Sequence, residues 1–313
     1  MTKHLIIFLG LLISQICTYG QDCEKLDSLL VIGYEKFKSE QFEEARSIFD
    51  SIAILDSTYY KTYNGKALLC IYEENCDDGL IEINKALSLK NDYFEGLTTR
   101  GELYMRKNDL VKAQIDFEAA LNVNPNYARA ISDMGVIDYF KGKYKSAYKD
   151  IKRALKIDPE DASIIYNLGT IDYYRKDYKK AIINFNKSLS FESMHNTYRI
   201  YINRGASKFY LKDYEGAIAD YNKAIELKPK NPAVIINMGM IYYIQNDYKI
   251  AIQYFDKALD IDSENKAGFY NRGLAYYNLK NYTKALFDFE KAYELGYNDA
   301  CKMIKDTKQK MNK

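Results

Sequence analysis

The stretch FEGLTTRGELYMRKNDLVKAQIDFEAALNVNPNY, residues 94–127, decides the fold. Leu97, Gly101 and Tyr104 fall at i, i+4 and i+7, as do Ala113, Phe117 and Ala120. Each set is one face of a helix. Lys107-Asn108-Asp109 between them is a polar turn. Asn124-Pro125 ends the second helix, because proline carries no N–H with which to continue it.

The same pattern recurs in both directions. Small residues stand at Gly33, Ala67, Gly101, Gly135, Gly169, Gly205, Gly239 and Gly273, 34 apart except for one step of 36. Twelve residues after each comes Ala45, Gly79, Ala113, Ala147, Ala181, Ala217, Ala251 or Ala285. Sixteen after comes Phe49, Ile83, Phe117, Ile151, Phe185, Tyr221, Phe255 or Phe289. A mid-helix glycine costs about 1 kcal/mol against alanine, so its recurrence points to packing. Two helices carrying small residues on their facing surfaces approach to the short end of the ~8–10 Å range, and the aromatic four residues on fills the remaining groove.

Small–x11–small–x3–large–x2–Ala, an aromatic before the second helix (Phe42, Tyr144, Tyr178, Tyr214, Tyr248, Tyr282) and a closing proline (Pro125, Pro159, Pro229) resemble the tetratricopeptide repeat. The resemblance covers residues 26–299 as eight units: 26–59, 60–93, 94–127, 128–161, 162–197, 198–231, 232–265 and 266–299. It implies an all-α, right-handed solenoid of two-helix repeats, with residues 300–313 as the polar capping helix that such stacks need. Asp138, Asp172 and Lys208 depart from the family, which has an aromatic three residues after the glycine. The fifth unit also carries two extra residues, so the stack is expected to be disturbed near Glu192–Thr197.

The first twenty residues differ from the rest. A basic start at Lys3-His4, the apolar run Leu5–Ile13, and Thr18 and Gly20 placed three and one before Gln21 have the layout of a signal peptide. Cleavage is expected after Gly20, leaving residues 21–25 as a short N-terminal segment; the alternative is an uncleaved anchor. The apolar run falls short of the ~20 residues that span a bilayer as a helix, and no later segment is long and apolar enough to do so. Cys17 and Cys23 lack small residues ahead of them, which makes lipidation the lesser reading. Lys+Arg 45 against Asp+Glu 43 gives no field to attract nucleic acid.

Chemistry is sparse. Beyond residue 20 the one histidine is His195, read as a solvated loop residue; alone it builds no zinc site. No phosphate-cradling glycine loop occurs, and the repeats leave no room for a catalytic domain. The expectation is a non-enzyme with no cofactor and no metal. Export would place Cys70 and Cys76 in an oxidising compartment. They flank the inter-helix turn of the second unit at positions the family fills with aromatics, so either a disulfide spans the turn or two thiols are buried there.

A ligand is expected on the concave face formed by the first helices of units four to eight. Asn167, Asn203, Asn237 and Asn271 form a ladder there, beside Phe140, Tyr174 and Tyr210 and the guanidinium groups of Arg129 and Arg199. Amides both donate to and accept from a peptide backbone, and rings add rigid apolar area. The same asparagines could instead bond neighbouring helices. Family members that grip a C-terminal carboxylate use a Lys/Arg/Asn set that is absent here. The sequence therefore predicts a scaffold that binds a protein or peptide in the cell envelope. The alternative is an assembly component, or a glycan-associated one, that uses its convex face or its ends.

Overall fold

The computed structural model describes residues 21–191 and 197–312. The expected signal segment and its cleavage at Gly20, the side chain of Cys23, His195 and the irregularity after Glu192 lie outside the described residues or side chains. Among the described residues there are seventeen helices and no strand, and no helix is long and apolar enough to cross a membrane.

The chain divides into two compact units at Asp158/Pro159. The first holds α1 (Gln21–Lys38) and α2 (Phe42–Leu55), α3 (Tyr60–Tyr72) and α4 (Cys76–Leu89), α5 (Phe94–Arg106) and α6 (Leu110–Val123), and α7 (Ala128–Phe140) and α8 (Tyr144–Ile157). The second holds α9 (Ala162–Tyr174) and α10 (Tyr178–Leu189), α11 (Thr197–Tyr210) and α12 (Tyr214–Leu227), α13 (Pro232–Ile244) and α14 (Tyr248–Ile261), α15 (Lys266–Asn278) and α16 (Tyr282–Glu294), and α17 (Ala300–Met311). Each pair is one repeat. Within a unit, a first helix packs on its own second helix and on the second helix of the repeat before it.

The turn inside each repeat has one construction. A residue in the left-handed region (Glu40, Glu74, Asn108, Gly142, Lys176, Lys212, Asn246 or Lys280) reverses the chain. At Asn75, Asp109, Asp177, Asp213, Asp247 and Asn281 the next side chain accepts a hydrogen bond from the backbone N–H three residues on. That cap satisfies one orphan donor of the second helix.

The packing follows the sequence pattern. Phe49, Phe117, Phe185, Phe255 and Phe289 are fully buried on the second helices, with Tyr221, Ile83 and Ile151 at the same step. A β-carbon added at Gly101, Gly169, Gly239 or Gly273 would come within 2.4, 2.8, 2.6 and 2.8 Å of the aromatic ring sixteen residues later. Those glycines are spaces into which rings are seated.

A second repeating device is polar. Arg100, Arg204 and Arg272, each just before its repeat's glycine, donate two hydrogen bonds to Asp116, Asp220 and Asp288, the residue before the buried ring. The remaining guanidinium nitrogen reaches back to Asn84, Asn186 or Asp256 on the second helix of the preceding repeat, at 3.0, 2.7 and 2.7 Å. Each arginine thus ties three helices together over a buried carboxylate.

The departures at Asp138, Asp172 and Lys208 also turn toward the second helix or the turn that leads into it. Asp138 pairs with Lys143 at 3.5 Å, Lys208 reaches Asp220 at 2.9 Å, and Asp172 accepts from the Asn184 amide at 2.8 Å. Asp172 is buried, and desolvation, reinforced by Asp177, raises its pKa above the ordinary carboxylate value. A group whose folded pKa is raised favours the folded state at pH below its unfolded value, and that contribution is lost as pH rises through the folded value. Asp172→Asn is therefore expected to raise the thermal midpoint at pH 7, with the gain shrinking toward pH 4. A midpoint unchanged or lowered at pH 7 would contradict this.

α17 closes the second unit. Ala300 and Thr307 are buried, Met303 and Ile304 cover the Phe289 cluster, and Lys308 pairs with Glu290.

Candidate binding faces on the first helices

In the second unit Asn167, Asn203, Asn237 and Asn271 lie on α9, α11, α13 and α15, each half-buried. Asn203 donates its amide to the Tyr166 hydroxyl on α9 at 2.9 Å. That rung of the ladder joins consecutive first helices, which is the structural role the sequence left open. Tyr174 and Tyr210 are 48% and 54% exposed. The Tyr210 ring stacks on Tyr178, with centroids 4.8 Å apart and planes 7° from parallel, and lies 6.0 Å from Tyr173. Arg199 is exposed; its Nε donates to the Tyr198 hydroxyl at 3.1 Å.

In the first unit Phe140 is 56% exposed and meets Tyr139 edge-on. Arg129 is not the lone guanidinium its sequence surroundings suggest. Glu102, on the preceding first helix, accepts a hydrogen bond from its Nη2 at 2.9 Å and forms an ion pair with its Nε at 2.6 Å. Arg129 also borders a cavity of about 370 Å³ on the first helices of repeats 1 to 4, lined among others by Tyr34, Asn64, Tyr93, Glu95 and Tyr127. That volume is at the low end of the ~300–1,000 Å³ range of ligand sites. Of the residues singled out from the sequence, Arg129 alone lines it.

Burial sets the chemistry of this cavity. The Tyr34 and Tyr127 phenols are each pushed up to about 12 and Tyr93 higher still, in every case chiefly by desolvation. At neutral pH all three present hydroxyls and ring faces, not charge. Glu95 is half-buried, and desolvation raises its carboxyl as well. Sequence reasoning missed these four residues. One signal was available: Tyr59, Tyr93 and Tyr127 stand 34 apart at the entrance to three successive first helices.

Of the two states the sequence left open at Cys70 and Cys76, the structure has both as free thiols. Cys70 is buried, with its β-carbon against Gly79, and burial raises its thiol. Cys76, the first residue of α4, packs at the edge of the neighbouring core cluster. Among the described residues no group of three or more His, Cys, Asp or Glu side chains is placed to hold a metal ion.

The tetratricopeptide-repeat family matches residues 94–127, 128–161, 198–231, 232–265 and 267–299. No curated protein matches the sequence. Solved structures that share the fold include two of particular coverage. One is a chain of the APC/C hetero-tetramer Cut9-Hcn1, at a TM-score of 0.68 and 13% identity over 80% of this chain and 49% of that one. The other is a tetratricopeptide repeat protein from Parabacteroides merdae, at a TM-score of 0.52 and 18% identity over 81% and 99% of the two chains. This chain thus spans about half the length of the first, and at these identities the likeness is one of fold. On its repeats and on the helix pairs they form, the chain belongs to the tetratricopeptide-repeat family.

Proposed function

We propose that this chain is a non-catalytic scaffold, exported to the cell envelope, whose first-helix faces take an extended segment of a protein partner. The observation that carries the reading is the exposure of Tyr174 and Tyr210 where a solvated helix needs no ring. Tyr210 is held in place by its stack on Tyr178, so little freedom is lost on binding. Interface energy concentrates in such aromatics and in arginine, and Arg199 stands on the same helix as Tyr210.

The test is Arg199→Ala combined with Tyr210→Ala. Both side chains are exposed, so folding should be nearly unaffected. A partner retained by the unaltered protein from an envelope extract should bind the double variant on the order of 30-fold more weakly, the loss of one strong anchor of ~2 kcal/mol. N-terminal sequencing of the same preparation should begin at Gln21. Undiminished capture would move binding to the second helices, where Ile81, Val111 and Ile115 are each more than half exposed. That would favour the assembly-component reading.

A further inference from the structure

Helix entrances differ between the two units. In the second unit, Asp161, Asn231 and Asn265 cap first helices through side-chain oxygens. In the first unit the corresponding residues are Tyr59, Tyr93 and Tyr127, and none makes a side-chain cap. An N-cap Asn or Asp is worth roughly 1 kcal/mol over a residue that cannot cap. Three successive first helices forgo it in favour of a tyrosine. Tyr93 and Tyr127 line the cavity, each braced edge-on by a ring of the preceding first helix: Tyr60 at 4.8 Å and Phe94 at 5.0 Å.

The charges around this cavity are not all paired by contact. Lys61 is held by Asp27 at 2.9 Å, and Arg129 by Glu102 at 2.6 Å. Glu95 is left over: Lys61 and Lys90 act on it only through space, and no described cation bonds its carboxylate. Its charge is felt by the phenols of Tyr34, Tyr93 and Tyr127 alike. Asn64, nearly fully buried in the same wall, gives its amide N–H to the Tyr34 hydroxyl at 3.2 Å, and its Oδ1 has no hydrogen-bond partner. The half-buried carboxylate has only its own backbone N–H as a donor and no cation in contact, the amide oxygen has no donor, and ring faces stand around them. Such a site is complementary to a cation that carries several N–H groups.

We propose that the first-helix face of repeats 1 to 4 receives a basic side chain, arginine foremost, from an extended protein segment, with Glu95 as its counter-ion and Tyr34, Tyr93 and Tyr127 as its walls. This rests on the reading that first-helix faces take a protein segment. The guanidinium is the better fit because it is planar, stacks on rings and is less strongly hydrated than an ammonium. An anionic side chain meets the opposite situation, since both cations at the rim already hold carboxylates.

The experiment is calorimetric titration of the full chain with three end-capped pentapeptides that differ only at the centre: arginine, its uncharged isostere citrulline, and glutamate. The arginine peptide should bind about tenfold or more tighter than the citrulline one, and the glutamate peptide weakest. Glu95→Gln, which keeps the side chain's shape, should bring the arginine peptide to the citrulline level without lowering the thermal midpoint. Tyr127→Leu should weaken the arginine peptide more than the citrulline one. Arg199→Ala with Tyr210→Ala, in the other unit, should leave the arginine peptide unaffected. Equal binding of arginine and citrulline, or an arginine affinity indifferent to Glu95→Gln, overturns the proposal while leaving peptide binding by first-helix faces intact. Binding of none of the three overturns both.

Discussion

Arg272→Ala is expected to destabilise the C-terminal repeats by about 3–5 kcal/mol, the cost of leaving a buried charge without its partner. Asp288 is almost wholly buried between α15 and α16 and receives two hydrogen bonds from Arg272, at 2.8 and 2.7 Å. Even with that partner, desolvation holds the Asp288 carboxyl above its ordinary pKa. The charge is therefore tolerated in the core only because the guanidinium is there. With alanine in its place, Asp288 must either stay ionised in a dry site or take up a proton. The deficit should accordingly be largest at pH 7 and shrink toward pH 4, since protonation removes the charge that costs most. Arg204→Ala should cost less, because Lys208 also reaches Asp220, at 2.9 Å, and remains to neutralise it. Urea unfolding of the two variants at both pH values, with hydrogen exchange to localise the loss, decides the matter. Equal losses at the two arginines, or a deficit independent of pH, would refute the account.

That ranking was not legible in the sequence. Periodicity finds apolar faces, and a helical arginine or aspartate reads by default as solvated. The arginine–aspartate pair sits one residue before the glycine and one before the ring, and it occurs in repeats 3, 6 and 8 only. It has no constant period to betray it. Small residues and a large apolar one recur at fixed steps in every repeat because each repeat must seat a large side chain between its helices, so the fold could be read from them. Repeat-to-repeat pairing was harder. Glu102 and Arg129 stand 27 residues apart, and so do Arg46 and Glu73; only the stacking of neighbouring helices brings either pair together. For the same reason the asparagine ladder looked like a ligand surface, although Asn203 uses its amide to hold Tyr166. The tyrosine row at 59, 93 and 127 had a visible period but no visible direction. That Tyr93 and Tyr127 face a cavity depends on α3, α5 and α7 lying side by side. The Cys70–Cys76 spacing likewise fits a turn, but the side chain of Cys70 goes to Gly79.

Gly169→Leu is the second large effect, expected to cost about 1–3 kcal/mol through overpacking. Even a β-carbon at this position would stand 2.8 and 2.9 Å from Cε1 and Cδ1 of Phe185 and 3.3 Å from the β-carbon of Asn184. Phe185 is fully buried and cannot yield outward. Displacing α10 would also strain the bond from Asn184 to the buried Asp172. Alanine at 169 should do less harm, since about 1 kcal/mol of helix propensity offsets part of the clash. Repeat 2 shows how the chain itself accommodates a β-carbon here: Ala67 replaces the glycine, Ile83 replaces the ring, and both are fully buried. Copying that pair into repeat 5, as Gly169→Ala with Phe185→Ile, should therefore lose less stability than the sum of its single changes, because the smaller side chain vacates the space the β-carbon enters. A double-mutant cycle by thermal unfolding measures the coupling directly. Strict additivity would mean that the glycine recurs at 34-residue intervals for some reason other than the ring it faces.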